Sequence, residues 1–290
     1  MSEDGMCADW LGGFMPMLQP WLEMPAYQAV GISAVVWGCI LALIWCMPFL
    51  SLNFKQQGAD RTLSLMHAPL VTALGIFTEM CAVPACKEGP SWVKGPMLVS
   101  LGWLIVDMCS MVVCDMWKGW RGVDMSMLVH HVVGLVIFGL GVTFDFGVYV
   151  GVTLLISEAS SINLTVMWYL TYSGRKNTKL FLANGVVFLL VFFLCRVAFI
   201  PYMFYQLATL DFCNSGASLG EMSMRAQGPH MTLAALVFVF CLNLWWFRKL
   251  VAGAAKKLRG VQGDGLNVLE APPRPAGGRD LQQKLLAAEA

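Results

Sequence analysis

Residues Gly185-Val186-Val187-Phe188-Leu189-Leu190-Val191-Phe192-Phe193-Leu194 are apolar at every position. A barrel strand would alternate apolar and polar residues, and a water-facing helix would keep one polar face, so neither suits this stretch. It lies inside a longer run, Leu180 to Leu207, which as a helix rising 1.5 Å per residue crosses a bilayer core of about 30 Å. Six further runs of the same kind accompany it: Tyr27 to Leu50, Leu63 to Val83, Met97 to Met116, Met125 to Phe144, Phe146 to Thr171 and Met231 to Phe247. Backbone amides in hydrocarbon must pair within their own segment, which selects helices. The expected fold is all-α, a multi-pass transmembrane helical bundle of about seven spans.

The whole chain agrees with its most apolar part. Of 290 residues, 58% are apolar and 13% charged, and 19 Lys+Arg against 18 Asp+Glu leave a net charge of +1. Soluble domains carry about a quarter charged residues, so soluble enzyme classes are excluded. No strong overall field and no basic groove lined with aromatics is present, which argues against nucleic acid as a partner.

Short cytoplasmic loops carry the positive excess in membrane proteins. With the N-terminus outside, the cytoplasmic set is Lys55, Arg61, Lys118, Arg121, Arg175, Lys176, Lys179, Arg248, Lys249, Lys256, Lys257 and Arg259, against Lys87, Lys94 and Arg225 outside. The expectation is a luminal N-terminus and a cytosolic C-terminus. Residues 1–26 hold Glu3, Asp4, Asp9 and Glu23 but no Lys or Arg, and with Trp10 and Trp21 they read as an extracytoplasmic interfacial segment. Residues 27–52 form the first transmembrane helix, 61–256 a domain of six more, and 257–290 a disordered cytosolic tail of Gly, Pro, Gln and charge. A tight outside turn is expected at Asp145 and Gly147. The basic group from Arg248 to Arg259 reads either as an ordinary stop-transfer cluster or as a holder of anionic headgroups, at about 1 kcal/mol per charge.

The ten cysteines are scattered and never fall at zinc spacings, so no metal and no cofactor is expected. Those within spans behave as small apolar groups. Cys7, Cys86 and Cys213 fall outside, where a disulfide such as Cys86 to Cys213 is chemically allowed. Asn163-Leu164-Thr165 has the glycosylation spacing but lies in a span, out of reach.

An ionisable side chain inside a span costs about 2.5 kcal/mol or more, so each requires a partner or a water-lined cavity. His67 and Glu79 lie in the second run, Asp107 and Asp115 in the third, His130 and His131 in the fourth, Glu158 in the fifth and Arg196 in the sixth. Asp107 and Asp115, eight residues apart, share a helix face with Ser110 and Met111 between them. His130 and His131 diverge by about 100°, so one faces a cavity centre while the other faces a neighbouring helix. Glu158, Ser161, Thr165 and Trp168 read as one stripe along the fifth span. Arg196 is the counter-charge for Glu158 or for Asp107. The bland alternatives are an interhelical hydrogen bond for His67, an interfacial helix-end position for Asp115, a snorkelling Glu79, and a purely architectural Arg196 pair.

Taken in order, these residues resemble the TLC-domain family, which includes the ceramide synthases and lipid-homeostasis proteins. Arg61-Thr62-Leu63-Ser64-Leu65-Met66-His67-Ala68 resembles its opening motif, Leu128-Val129-His130-His131 its paired histidines, and Glu158-Ala159-Ser160-Ser161 the Glu-x-Ser-Thr motif of the non-synthase branch. Asp107, Trp168 and Arg196 stand where that family has an acid, a tryptophan and an arginine, and Asn243-Leu244-Trp245-Trp246-Phe247 resembles its closing motif. The resemblance covers about Arg61 to Lys256. It implies a helical bundle around a lipid-accessible cavity, usually in the endoplasmic reticulum. It also implies His130 and His131 as paired active-site histidines with Asp107 as accompanying acid, should the chain be an enzyme. His67, Asp115, Glu158, Ser161, Thr165, Trp168 and Arg196 would then be ligand-binding. The chain departs from the synthases where they follow the histidines with a second His-Asp stretch, having Ser157-Glu158-Ala159-Ser160-Ser161 instead. Within the Glu-x-Ser-Thr branch, Thr165 and Met167 replace the usual Asn and Arg.

The favoured expectation is a lipid-homeostasis protein that binds membrane lipids. The first alternative is an acyl-CoA-dependent N-acyltransferase acting on a long-chain amine, in which a neutral imidazole oriented by an acid takes the amine's proton or carries the acyl group. The second is a seven-helix receptor or proton-coupled transporter.

Overall fold

The computed structural model of the chain describes residues 19–81, 91–117, 125–144, 147–209 and 222–258. The expected N-terminal segment before residue 19, Cys86 and Cys213, Asp145 of the tight turn, and the tail from residue 259 lie outside the described residues, as does the Asp115 side chain.

The described helices are α1 (Ala26–Cys46), α2 (Leu52–Cys81), α3 (Gly95–Trp117), α4 (Met125–Phe144), α5 (Val148–Leu154), α6 (Ala159–Tyr172), α7 (Lys179–Phe192), α8 (Phe199–Thr209) and α9 (Met222–Leu258). A 3-10 turn, Leu155–Glu158, joins α5 to α6, and a π-helical turn, Phe193–Ala198, joins α7 to α8. Counted as spans these make seven, because α5 with α6, and α7 with α8, each cross as one interrupted rod. No strand occurs among the described residues. The chain is an integral, multi-pass membrane protein.

Large apolar side chains such as Val36 and Leu43 of α1, and Val186 and Leu190 of α7, are exposed. In water such faces would drive aggregation; in lipid they meet their own kind. Because apolar burial does not drive helices together in lipid, close backbone approach and hydrogen bonds do. The α1–α3 contact has both. Ser33 Oγ and Trp37 Nε1 each donate to the Val99 carbonyl, at 3.1 and 3.2 Å. Gly102 lies against the α1 backbone, where a Cβ would come within 2.6 Å of Ala34 N. Aromatic packing joins α7 to α9 through Phe192 stacked on Phe247, with ring centroids 6.2 Å apart.

The helix entering α5 starts at Gly147, whose φ of +63° is left-handed, a conformation that favours glycine over residues with a Cβ. Asn163, the residue with glycosylation spacing, faces a neighbouring helix: its Nδ2 donates to Asn184 Oδ1 at 3.0 Å, and Asn184 Nδ2 donates to the Asn163 carbonyl at 2.9 Å. Glu79 accepts from Thr153 Oγ1 at 3.0 Å.

Candidate functional site

A void of about 230 Å³ opens among α2, α3, α4, α6, α7 and α9. Its walls divide into two chemistries. One part is polar, lined by His67, Asp107, His130, His131, Glu158 and Arg196; the other is apolar, lined by Ile137, Phe138, Leu154 and Ala235. Lys249 lines it too, as do Arg61 and Met127, which sit near the starts of their spans on one side of the bundle. Along α4, His130 and Phe138 are eight residues apart, about 12 Å of axial rise, so the α4 wall of the void passes from polar to apolar.

Two nodes build the polar part. The first is aromatic. The His67 ring stacks on Trp103 with centroids 4.0 Å apart and planes within 7°, and His67 Nε2 meets Ser100 Oγ at 3.2 Å. His131 packs edge-on against Trp103 at 5.6 Å. Its Nδ1 lies 3.4 Å from Asp107 Oδ2 without hydrogen-bond alignment. Ser100, Trp103 and Asp107 follow i, i+3, i+7 spacing, so one face of α3 supplies the floor beneath both imidazoles. His130 turns to α9, its ring 5.4 Å from Trp246, and Trp246 Nε1 donates to Ser126 Oγ at 3.2 Å. The adjacent histidines thus meet different helices, as 100° of helical rotation requires.

The second node is ionic. Arg196 Nη2 donates to Glu158 Oε1 at 3.0 Å and to Ser161 Oγ at 3.1 Å. Its Nε donates to Ser160 Oγ at 2.7 Å and to the Ser157 carbonyl at 3.2 Å, while Ser161 Oγ donates to Glu158 Oε2 at 2.7 Å. The two helical irregularities meet here: Glu158 closes the 3-10 turn and Arg196 lies within the π turn. Departures from α-geometry alter which backbone groups are paired, and the Arg196 fork takes up one carbonyl of the 3-10 turn together with the carboxylate. Of the two partners open to Arg196 from sequence, Glu158 is the one it meets.

Most of the sequence-derived site residues therefore converge. His67, Asp107, His130, His131, Glu158, Ser161, Thr165 and Arg196 all line the void. Trp168 does not. Ten residues turn a helix by about 1000°, which leaves Trp168 about 80° off the Glu158 face, and its ring instead stacks on Tyr172 at 5.2 Å and meets Phe54 edge-on at 6.1 Å. Asp115 belongs to α3, but its side chain is outside the described residues. Ser100 and Trp103 are not among the sequence-derived residues, and Ser160 is there only as part of the Glu158-Ala159-Ser160-Ser161 motif. The signal for the first two was available, since both fall on the Asp107 face of α3.

The sequence pattern described as TLC domain matches residues 39–252. The chain is similar to TLC domain-containing protein 4 of Xenopus tropicalis, at 28% identity over 72% of this chain and 80% of that protein. It is also similar to TLC domain-containing protein 4-B of Danio rerio, at 26% identity over 75% of this chain and 86% of the relative. The Homo sapiens TLC domain-containing protein 4 matches at 24% identity over 74% and 81%. No solved structure matches.

Proposed function

The chain belongs to the TLC-domain family, and from that premise we propose that it acts in membrane lipid homeostasis by binding a lipid or fatty acyl chain in the intramembrane void. The observation carrying this reading is the two-chemistry lining: imidazoles, acids and Arg196 on the one hand, Ile137, Phe138, Leu154 and Ala235 on the other. An amphiphile joins the same two chemistries. Size narrows the occupant. A dry cavity of about 150 Å³ accepts benzene. By that measure 230 Å³ holds about nine carbons, a segment of one chain rather than two. We further propose an endoplasmic reticulum location with a luminal N-terminus and cytosolic C-terminus, supported by the family and by the Lys/Arg distribution.

Mass spectrometry of lipid co-purified with the full chain tests this. Bound single-chain or acyl species in near-stoichiometric amount are expected, and a protein that carries none above the detergent background would end the proposal. Ala235→Leu adds carbons to the apolar wall and is expected to shift bound chains shorter by about two to four carbons.

A second reading, the acyl-CoA-dependent N-acyltransferase, draws on the 3.4 Å approach of His131 Nδ1 to Asp107. Catalytic hydrogen bonds are commonly long before substrate binds and tighten in the complex. A small ring rotation would align the pair and leave the imidazole able to accept an amine proton. Labelled acyl-CoA with a sphingoid base should then give amide, reduced by about 100-fold or more in the His130→Ala, His131→Ala double variant. No turnover of any acyl donor would eliminate this reading.

A further inference from the structure

The loop after α6 and the end of α9 bring two basic segments together. Gly174, with φ of +75°, ends α6, and Arg175 N reaches back to the Leu170 carbonyl at 2.7 Å. Thr178 then caps α7, its Oγ1 accepting from Phe181 N at 3.2 Å. Between these caps Arg175, Lys176 and Asn177 are held out, exposed, with Lys179 beginning α7. Across from them, Lys257 Nζ donates to Asn177 Oδ1 at 2.7 Å, and Lys256 is exposed beside it. Leu250 of α9 packs in the same cluster as Phe181 of α7, which keeps the two segments at one end of the bundle. No Asp or Glu occurs in residues 159–210 or 222–263, so neither segment supplies an acid to neutralise them.

We propose that Arg175, Lys176, Lys179, Lys256 and Lys257 form a binding shelf for the anionic headgroups of membrane phospholipids. Height in the bilayer selects a lipid over a soluble anion: Lys179 is the first residue of its span and Lys257 the last of its own. Long basic side chains at those positions reach the headgroup layer. An ordinary stop-transfer cluster acts along one segment of chain. Here the Asn177–Lys257 bond joins cations separated by most of the last two spans. The shelf stands apart from the void and does not depend on what the void binds.

Phosphatidylserine and phosphatidylcholine retained by the full chain, taken from mixed nanodiscs into detergent, can be compared by native mass spectrometry. Wild type is expected to keep phosphatidylserine in preference by about tenfold, with the preference falling as salt rises. The triple variant Arg175→Gln, Lys176→Gln, Lys179→Gln should lose most of that preference, and so should Lys256→Gln with Lys257→Gln. Lys176→Arg with Lys179→Arg should retain it. Equal retention of both lipids by wild type, or an unchanged ratio in both neutralised variants, would overturn the assignment. So would soluble inositol hexakisphosphate binding that is lost in the same variants while lipid retention is not.

Discussion

Arg196→Ala is expected to destabilise the folded protein by about 3–5 kcal/mol, because it strips the counter-charge from a carboxylate set among membrane helices. The loss exceeds that of one hydrogen bond. Arg196 joins Glu158, Ser157, Ser160 and Ser161 at once, and alanine leaves all of those acceptors facing a site that little water reaches. Arg196→Lys should recover only part, since one ammonium does not reproduce a planar fork that serves the carboxylate through Nη2 and the serines through Nε. Glu158→Leu combined with Arg196→Met removes both charges and should be milder than either single variant. Unfolding of the purified proteins in mixed micelles measures all five. A change of under about 1 kcal/mol for Arg196→Ala would mean that the ion pair is dispensable to the fold where the 3-10 and π turns meet.

Gly102→Ala should cost about 1–3 kcal/mol or more although it adds one methyl. Overpacking is tolerated where the obstacle is the end of a flexible side chain, and here part of the obstacle is backbone, Ala34 N at 2.6 Å from the added carbon. Relief requires α1 to move away from α3. That movement would stretch the Ser33 and Trp37 bonds to the Val99 carbonyl and loosen Trp37, which packs edge-on against His67 at 5.7 Å. Gly139→Ala, where an added Cβ meets nothing within 4 Å, is the control and should be nearly neutral. Equal melting temperatures for the two variants would show that the α1–α3 approach is not the tight contact it is taken to be.

The same residues mark how far a reading without coordinates extends into the site. Asp107, His130, His131, Glu158 and Arg196 stood out because charge or imidazole inside an apolar run is costly anywhere, whatever the neighbouring helix. Ser100 and Trp103 carry no such cost signal, since serine and tryptophan occur throughout membrane helices; their position on the Asp107 face of α3 is legible in the sequence, but the contacts with His67 and His131 are not. Trp168 shows the converse. Its spacing from Glu158 looked like a shared stripe, yet ten residues of rotation, with a 3-10 turn just before the helix, carry it around to Phe54 and Tyr172.

Span number, helical character and membrane placement were determined by the sequence alone, because each rests on an energy that a segment meets by itself: hydrocarbon against water for its side chains, and paired against unpaired amides for its backbone. Which acid Arg196 takes, where two rods break from α-geometry, how His130 and His131 divide between α9 and α3, and that basic residues from the fifth-to-sixth loop meet those at the end of α9 were decided by the tertiary structure. Periodicity sets the angle of a side chain about its own axis. It leaves free the rotation and height of each helix against its neighbours, and those are settled by close backbone contacts such as Gly102 on Ala34 and by polar groups finding one another across the bundle.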